Sequence, residues 1–285
     1  MVNQLELNEY KQGVAYLYDR RSQAYDDSKW HVQICHRLLE YSQVSNGQTV
    51  LDIGTGTGHL AIAVAQTIGD RGQVIGVDIS AGMLEQAQSK VDALGLINVE
   101  FQLADAEALD YTNNHFDHIL CANTFPWMAD KESTLRLWYQ FLKPGGRIGV
   151  HTPADTAYIG AVVLRRVFAK YGVLLEASNR IGTIEKVQNL FANAGFEAVE
   201  IKTEQHGDYT NLDKAKATWE GVVVRPSLTS QKVSGDGLSQ LSSAQLAQVK
   251  AEFDAELESL RTEQGIWDDL TTLYILGSKS ENRGL

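Results

Sequence analysis

The run from Val50 to His59 carries an apolar strand pattern, Val50 to Ile53, directly into glycines at three alternate positions, Gly54, Gly56 and Gly58. No other stretch limits the fold so narrowly. Glycine accepts positive φ and lets a ligand approach the backbone, so the run predicts a strand, a tight loop with something flat and polar against it, and a helix opening near His59. Such a helix start aims free N–H groups at a carboxylate or phosphate. The next strand, Gln73 to Asp78, ends in an acid 24 residues after Gly54. That is close to the ~20-residue spacing at which a carboxylate meets a ribose in a nucleotide-binding βαβ unit. The dinucleotide fingerprint needs a glycine at position 59, where this chain has His59, so pyrophosphate binding is disfavoured.

The strand and helix signals continue in alternation. Phe101 to Leu103 leads to Asp105, Phe116 to Asn123 reads as a fourth strand, and Leu142-Lys143-Pro144-Gly145-Gly146 turns into a fifth that ends at Val150. Strand–helix alternation of this kind predicts a doubly wound α/β fold with a parallel sheet covered on both faces. Ser28 reads as the cap of a helix carrying Trp30, Ile34 and Leu38 on one face. Ser80 reads as the cap of a helix that Gly95 ends. A helix from Thr183 to Gly195, a strand from Phe196 to Lys202 and a last strand from Thr271 to Leu276 complete the core. Two segments exceed what a sheet needs: an apolar helix around Ile159, Val163 and Phe168, and a long insertion over 206–270. The insertion holds a polar stretch at 227–243 and a helix with Leu246, Val249, Phe253 and Leu257 on one stripe.

Composition narrows the function. At 44% hydrophobic the chain can bury one full core, and a net charge of −11 opposes the phosphate neutralisation on which nucleic-acid binding rests. Cys35 and Cys121 are too few and too scattered for a disulfide framework or a zinc site, and no clustered carboxylates or His pairs stand at metal-ligand spacing, so no metal is expected. The residues after Met1 have no signal-peptide pattern and no apolar run reaches spanning length, so stable membrane insertion is not expected and a cytoplasmic location is. Ligands of open α/β sheets gather at the carboxyl ends of the strands, which ranks the histidines. His151 and His206 follow strands and reach that rim, His118 lies at the opposite end, His59 opens a helix, and His31 and His36 read as surface residues. A rim histidine titrates near working pH and can deprotonate a hydroxyl, which makes His151 the candidate general base.

Together, the glycine loop, the acids at the ends of the second and third strands, the fourth strand and the Leu-Lys-Pro-Gly-Gly turn resemble the class I S-adenosylmethionine-dependent methyltransferases, over roughly residues 48–152. Tyr18 to Asp26, ahead of that core, is similar to the matching segment of the small-molecule branch that includes quinone-biosynthesis enzymes. The resemblance implies a mostly parallel seven-stranded sheet with an antiparallel last strand and a helical lid. Its divisions are 1–46 for N-terminal cap helices, 47–153 for the cofactor core, 154–182 for a lid helix, 183–205 for a core helix and strand, 206–270 for a helical lid insertion and 271–285 for the last strand and tail. It implies that Asp52, Gly54, Gly56 and Gly58 hold the methionine moiety and that Asp78 takes the ribose hydroxyls. Ile79 and Met83 then flank the adenine, Asp105 with Ala106 meets its amino edge, and Tyr25 and Asn123 complete the cofactor site.

The acceptor slot implied by the resemblance is Asn123 to Met128, where Phe125 and Trp127 point to an apolar or aromatic small molecule; Tyr18, Trp30 and His206 are further substrate candidates. The expected reaction moves a methyl group from S-adenosylmethionine to such a metabolite and releases S-adenosylhomocysteine. Oxygen is the favoured acceptor because His151 would serve as base, followed by carbon of a quinone-like ring and then nitrogen. Two other classes compete: a non-catalytic S-adenosylmethionine-binding module, and a nicotinamide-dependent oxidoreductase that His59 in place of glycine argues against.

Overall fold

The computed structural model of the chain describes residues 5–27, 29–173, 175–177, 183–224, 231–233 and 240–281. Ser28 and most of the polar stretch 227–243 lie outside the described residues. Two units divide the chain: one holds the residues up to Thr152, Ile184–Lys202 and the chain from Tyr274 on, the other Pro153–Thr183 and Thr203–Leu273. The stretches 154–182 and 206–270 therefore belong to one unit rather than forming two separate additions to the sheet.

The first unit is built on seven strands: β1 (Thr49–Ile53), β2 (Gln73–Asp78), β3 (Val99–Leu103), β4 (Phe116–Ala122), β5 (Leu142–Pro153), β6 (Glu197–Glu204) and β7 (Thr272–Ser278). Their order across the sheet is β3-β2-β1-β4-β5-β7-β6, mostly parallel, with β7 antiparallel. Val50, Leu51 and Ile53 of β1 are fully buried, as expected for a central strand covered on both faces. One face carries α2 (Lys29–Ser42) and α3 (His59–Ile68), whose Leu38, Leu60, Val64 and Ile68 pack with Val50 and Val74. The chain reverses direction across the sheet between β1 and β4, and an α/β sheet opens its ligand crevice at that point, at the carboxyl ends of the strands.

Local chemistry fixes the helix ends near the crevice. Ser80 accepts a hydrogen bond from Met83 N and starts α4 (Ala81–Leu94), which Gly95 closes at φ 65°, both as the sequence predicts. Asp130 caps α5 (Lys131–Phe141) by accepting from Ser133 N at 3.0 Å. A further helix, α1 (Glu9–Arg21), runs into the Tyr18–Asp26 segment, and it buries none of its residues. The Lys143–Gly146 turn differs from expectation in detail. Strand β5 already starts at Leu142, which pairs with Phe116, and the register then jumps to His118 opposite Arg147, so the turn residues bulge out within the strand.

The second unit has its own core. Helices Ile159–Lys170, Leu212–Trp219 and Ser243–Ser259 bring together Val163, Phe168, Trp219, Val249, Phe253 and Leu257. Phe168 stacks on Trp219 at 5.8 Å between centroids, and Phe253 lies 5.9 Å from the same indole. Its third helix opens with a reciprocal capping box between Ser242 and Gln245. Among the described residues no helix is long and apolar enough to cross a membrane. Truncating the fully buried Phe253 to alanine removes the ring that joins two of these helices. Phe253→Ala should destabilise this unit by about 3–5 kcal/mol. Urea unfolding followed by far-ultraviolet circular dichroism reads the loss, and a shift under 1 kcal/mol would place Phe253 outside a cooperative core.

Candidate active site

The loop after β1 is held open by geometry that only glycine adopts freely. Gly54, Gly56 and Gly58 have φ of 65°, 55° and 85°, all left-handed. Their surroundings differ. A Cβ on Gly54 would meet Thr124 Oγ1 at 2.2 Å and one on Gly58 would meet Ala87 Cβ at 3.0 Å, whereas one on Gly56 would find nothing within 4 Å. Gly56 is thus the glycine of the three that faces open space, and Gly54 and Gly58 let the loop pack on its neighbours. Both Gly54 and Gly56 line a cavity at the carboxyl ends of β1, β2 and β4, while Gly58 lies outside its wall.

Three acids at strand ends converge on that cavity. Asp78 Oδ2 accepts from Gly56 N at 2.8 Å and Oδ1 from Ser80 N at 2.9 Å. Burial pushes its carboxyl up to about 6 against the pull of those donors. Asp52 is 1% exposed; Oδ2 accepts from Thr55 Oγ1 at 2.6 Å, and Oδ1 has no hydrogen-bond partner among the described residues. Burial, with the negative charge of Asp78 adding to it, pushes the Asp52 carboxyl up to about 7. Asp105 is bound from outside the core: Lys11 Nζ of α1 donates to its Oδ2 at 2.6 Å and lies 2.9 Å from Glu107 Oε2.

The remaining wall is aromatic and comes from α1 and the turn after it. Tyr18 meets Trp127 edge to face at 5.5 Å and Tyr25 at 6.1 Å, and the Tyr25 ring stacks on His31 at 4.3 Å. Tyr10 O–H donates to the Trp127 carbonyl at 3.1 Å, and burial pushes its phenol up to about 12. This wall is tied down at two further points. Asp19 Oδ1 accepts from Ser80 Oγ at 2.6 Å and Gly82 N at 2.9 Å, and Asp26 binds Thr57 Oγ1, His59 Nε2 and Lys90.

Most residues expected at the site line the cavity: Tyr18, Tyr25, Asp52, Gly54, Gly56 and Asp78, then Ile79, Met83, Asp105, Ala106, Asn123 and Trp127. Five stand elsewhere. Phe125 is fully buried, 5.7 Å from Trp138 and 6.2 Å from Phe191, and is a core residue. His151 pairs with Ala122 inside the sheet, is fully buried and packs its ring 5.0 Å from Tyr274, so it lines no part of the cavity; β5 continues to Pro153 and carries His151 below the rim. Trp30, on α2, lies off the cavity wall, as Gly58 does. His206 belongs to the second unit, 3.2 Å from Glu204 Oε2.

Sequence reasoning missed Tyr10, Lys11, His31 and Glu107, all on the wall. His31 had a readable signal, because Ile34 and Cys35 at three and four residues on share its helix face and both line the cavity. Lys11 had none, since its partner is 94 residues away. Among the described residues no group of His, Cys, Asp or Glu could hold a metal ion. The donor set suits S-adenosylmethionine: carboxylates for hydroxyl and cationic groups, an open backbone at Gly56, an unsatisfied Asp52 oxygen and an aromatic wall.

Two substitutions test this assignment. Gly56→Val fills the open space and forces a branched residue to positive φ, so it should abolish cofactor binding while the circular dichroism spectrum stays native. Asp78→Ala removes an acceptor and frees Gly56 N, and calorimetry should show a loss of roughly 1.5–3 kcal/mol of binding free energy. Wild-type affinity in either variant removes that residue from the site.

Comparison with known proteins agrees with this geometry. A family profile described as a methyltransferase domain matches residues 44–195. The ubiquinone/menaquinone biosynthesis C-methyltransferase UbiE of Escherichia coli O1:K1 is 33% identical over 200 residues, covering 62% of this chain and 76% of that protein. Among solved structures, the YcgJ protein of Bacillus subtilis superposes with a TM-score of 0.59 at 20% identity, covering 88% of this chain and 99% of that one. Phosphoethanolamine N-methyltransferase 2 of Haemonchus contortus, solved with phosphomonomethylethanolamine and S-adenosylhomocysteine, gives a TM-score of 0.58 at 19% identity over 97% and 61% of the two chains. With the sheet order, the glycine loop and the profile match in agreement, the chain belongs to the class I S-adenosylmethionine-dependent methyltransferases.

Proposed function

We propose that the methyl acceptor is a small, largely apolar or aromatic metabolite and that carbon of an electron-rich ring, of the hydroquinone kind, is the atom methylated. The observation that carries this reading is the aromatic wall formed by Tyr18, Tyr25 and Trp127 on the cavity. The printed activity of the 33% identical relative, a C-methyltransferase, adds support. An oxygen acceptor draws no support from His151, which lies inside the sheet. A net charge of −11 favours a small molecule over a nucleic acid.

Bound S-adenosylmethionine supplies an electrophilic methyl group on a sulfonium and leaves as the neutral thioether. The chain's part is to position and to exclude water. Asp78 fixes the loop through Gly56 N, and Asp19 and Asp26 hold the N-terminal wall against α4 and the glycine loop. The rings of Tyr18 and Trp127 give a flat ring a stacking surface and keep bulk water from the reacting atoms. A ring carbon made nucleophilic by its own hydroxyl substituents needs less help from a protein base than an unactivated hydroxyl does.

Incubation with methyl-labelled cofactor and a panel of demethylated hydroquinones, catechols and amines, followed by mass spectrometry and NMR of the products, tests this. The expected product carries the label on a ring carbon. Labelled methyl ethers or methylamines alone would overturn the reading.

A further inference from the structure

Asp52 is the cavity acid with no cationic partner among the described residues and one carboxyl oxygen unbonded. It is the penultimate residue of β1, 1% exposed, with one oxygen on Thr55 and the other without a hydrogen-bond partner among the described residues. The groups facing it are not cationic: the Cys35 thiol of α2, the Cys121 thiol of β4, the Asp78 carboxylate of β2 and the Ala61 N–H of α3. Nearby cations serve other acids, Lys11 at Asp105 and Glu107, and Lys90 at Asp26. The His31 imidazole on the same wall is driven toward its neutral form by burial.

A carboxyl group in such a place avoids an uncompensated charge either by keeping a proton or by meeting a cation. We propose that Asp52 does each in turn: it carries a proton in the free protein and gives it up to solvent when the positive end of the cofactor arrives, so that cofactor binding is coupled to proton release. The bond broken is the carboxyl O–H, and the proton goes to water and then buffer. Burial places the Asp52 carboxyl at about 7, where this exchange falls at neutral pH. Asp78 is a poorer carrier, because the N–H groups of Gly56 and Ser80 already stabilise its charge. The inference depends on the cofactor and not on the acceptor, so failure of the ring-carbon reading leaves it standing.

Calorimetric titration of the full chain with S-adenosylmethionine, in buffers of different ionisation enthalpy at pH 7, counts the protons released. We expect roughly half a proton per cofactor bound, and a Kd about tenfold weaker at pH 6 than at pH 8, because protonated Asp52 must first lose its proton. In Asp52→Asn the buffer dependence should vanish. Should that variant not fold, infrared difference spectra of the wild type should show a protonated carboxyl band lost on binding. S-Adenosylhomocysteine separates the two positive groups: release with both ligands assigns the ammonium as the displacing charge, and release with S-adenosylmethionine alone assigns the sulfonium. Binding whose heat is the same in every buffer, or proton release that persists in Asp52→Asn, overturns the inference.

Discussion

The hydrogen bond from Gly56 N to Asp78 is the interaction on which the rest of the site depends. It joins the glycine loop after β1 to the end of β2, and the bond from Thr55 N to the Val77 carbonyl secures the same junction one residue earlier. With the loop fixed, Thr55 reaches Asp52, Thr57 reaches Asp26, and α3 starts in a defined direction. A cavity that must hold a donor in line with an acceptor needs this rigidity at its base, since misplacement by about an ångström can cost ~10²-fold in rate.

Much of this was legible because the signals are local. A parallel strand, its turn and its helix are written in consecutive residues, so the glycine loop and the spacing to Asp78 could be read directly, and the family resemblance added Asp52; all four of Asp52, Gly54, Gly56 and Asp78 line the cavity. Side-chain direction at an irregular turn could not. Phe125 and Trp127 flank Pro126 in one 3-10 turn, yet Phe125 enters the core against Trp138 and Trp127 lines the cavity. His151 failed for a related reason: two further residues of β5 kept it within the sheet. Helix α1 falls within the expected N-terminal cap helices, but its contacts could not be read, because it buries no residue and its grip on the site runs through Lys11, Asp19 and Tyr10 to residues far along the chain.

The N-terminal wall is held differently from the sheet. Central strands are secured by apolar burial, whereas α1 is held by ion pairs and hydrogen bonds at both ends: Lys11 to Asp105 and Glu107, and Asp19 to the start of α4. These bonds hold α1 beside the strand ends that form the cavity.

The sheet order has a consequence for synthesis. Strand β7, the last in the chain, lies between β5 and β6, so neither of those strands has its final neighbour until residue 278 is available. A growing chain can pair β3-β2-β1-β4-β5 as those strands emerge, but it carries an open edge on β5 while the whole second unit, Pro153–Thr183 and Thr203–Leu273, is still being made. An unpaired edge on a strand with fully buried Val150 and Ile148 is a template for wrong partners. The unit that interrupts the sheet thus lengthens the interval in which the nascent chain is exposed to misassembly, and premature termination between β5 and β7 would leave every cavity-lining residue present in a chain prone to aggregate.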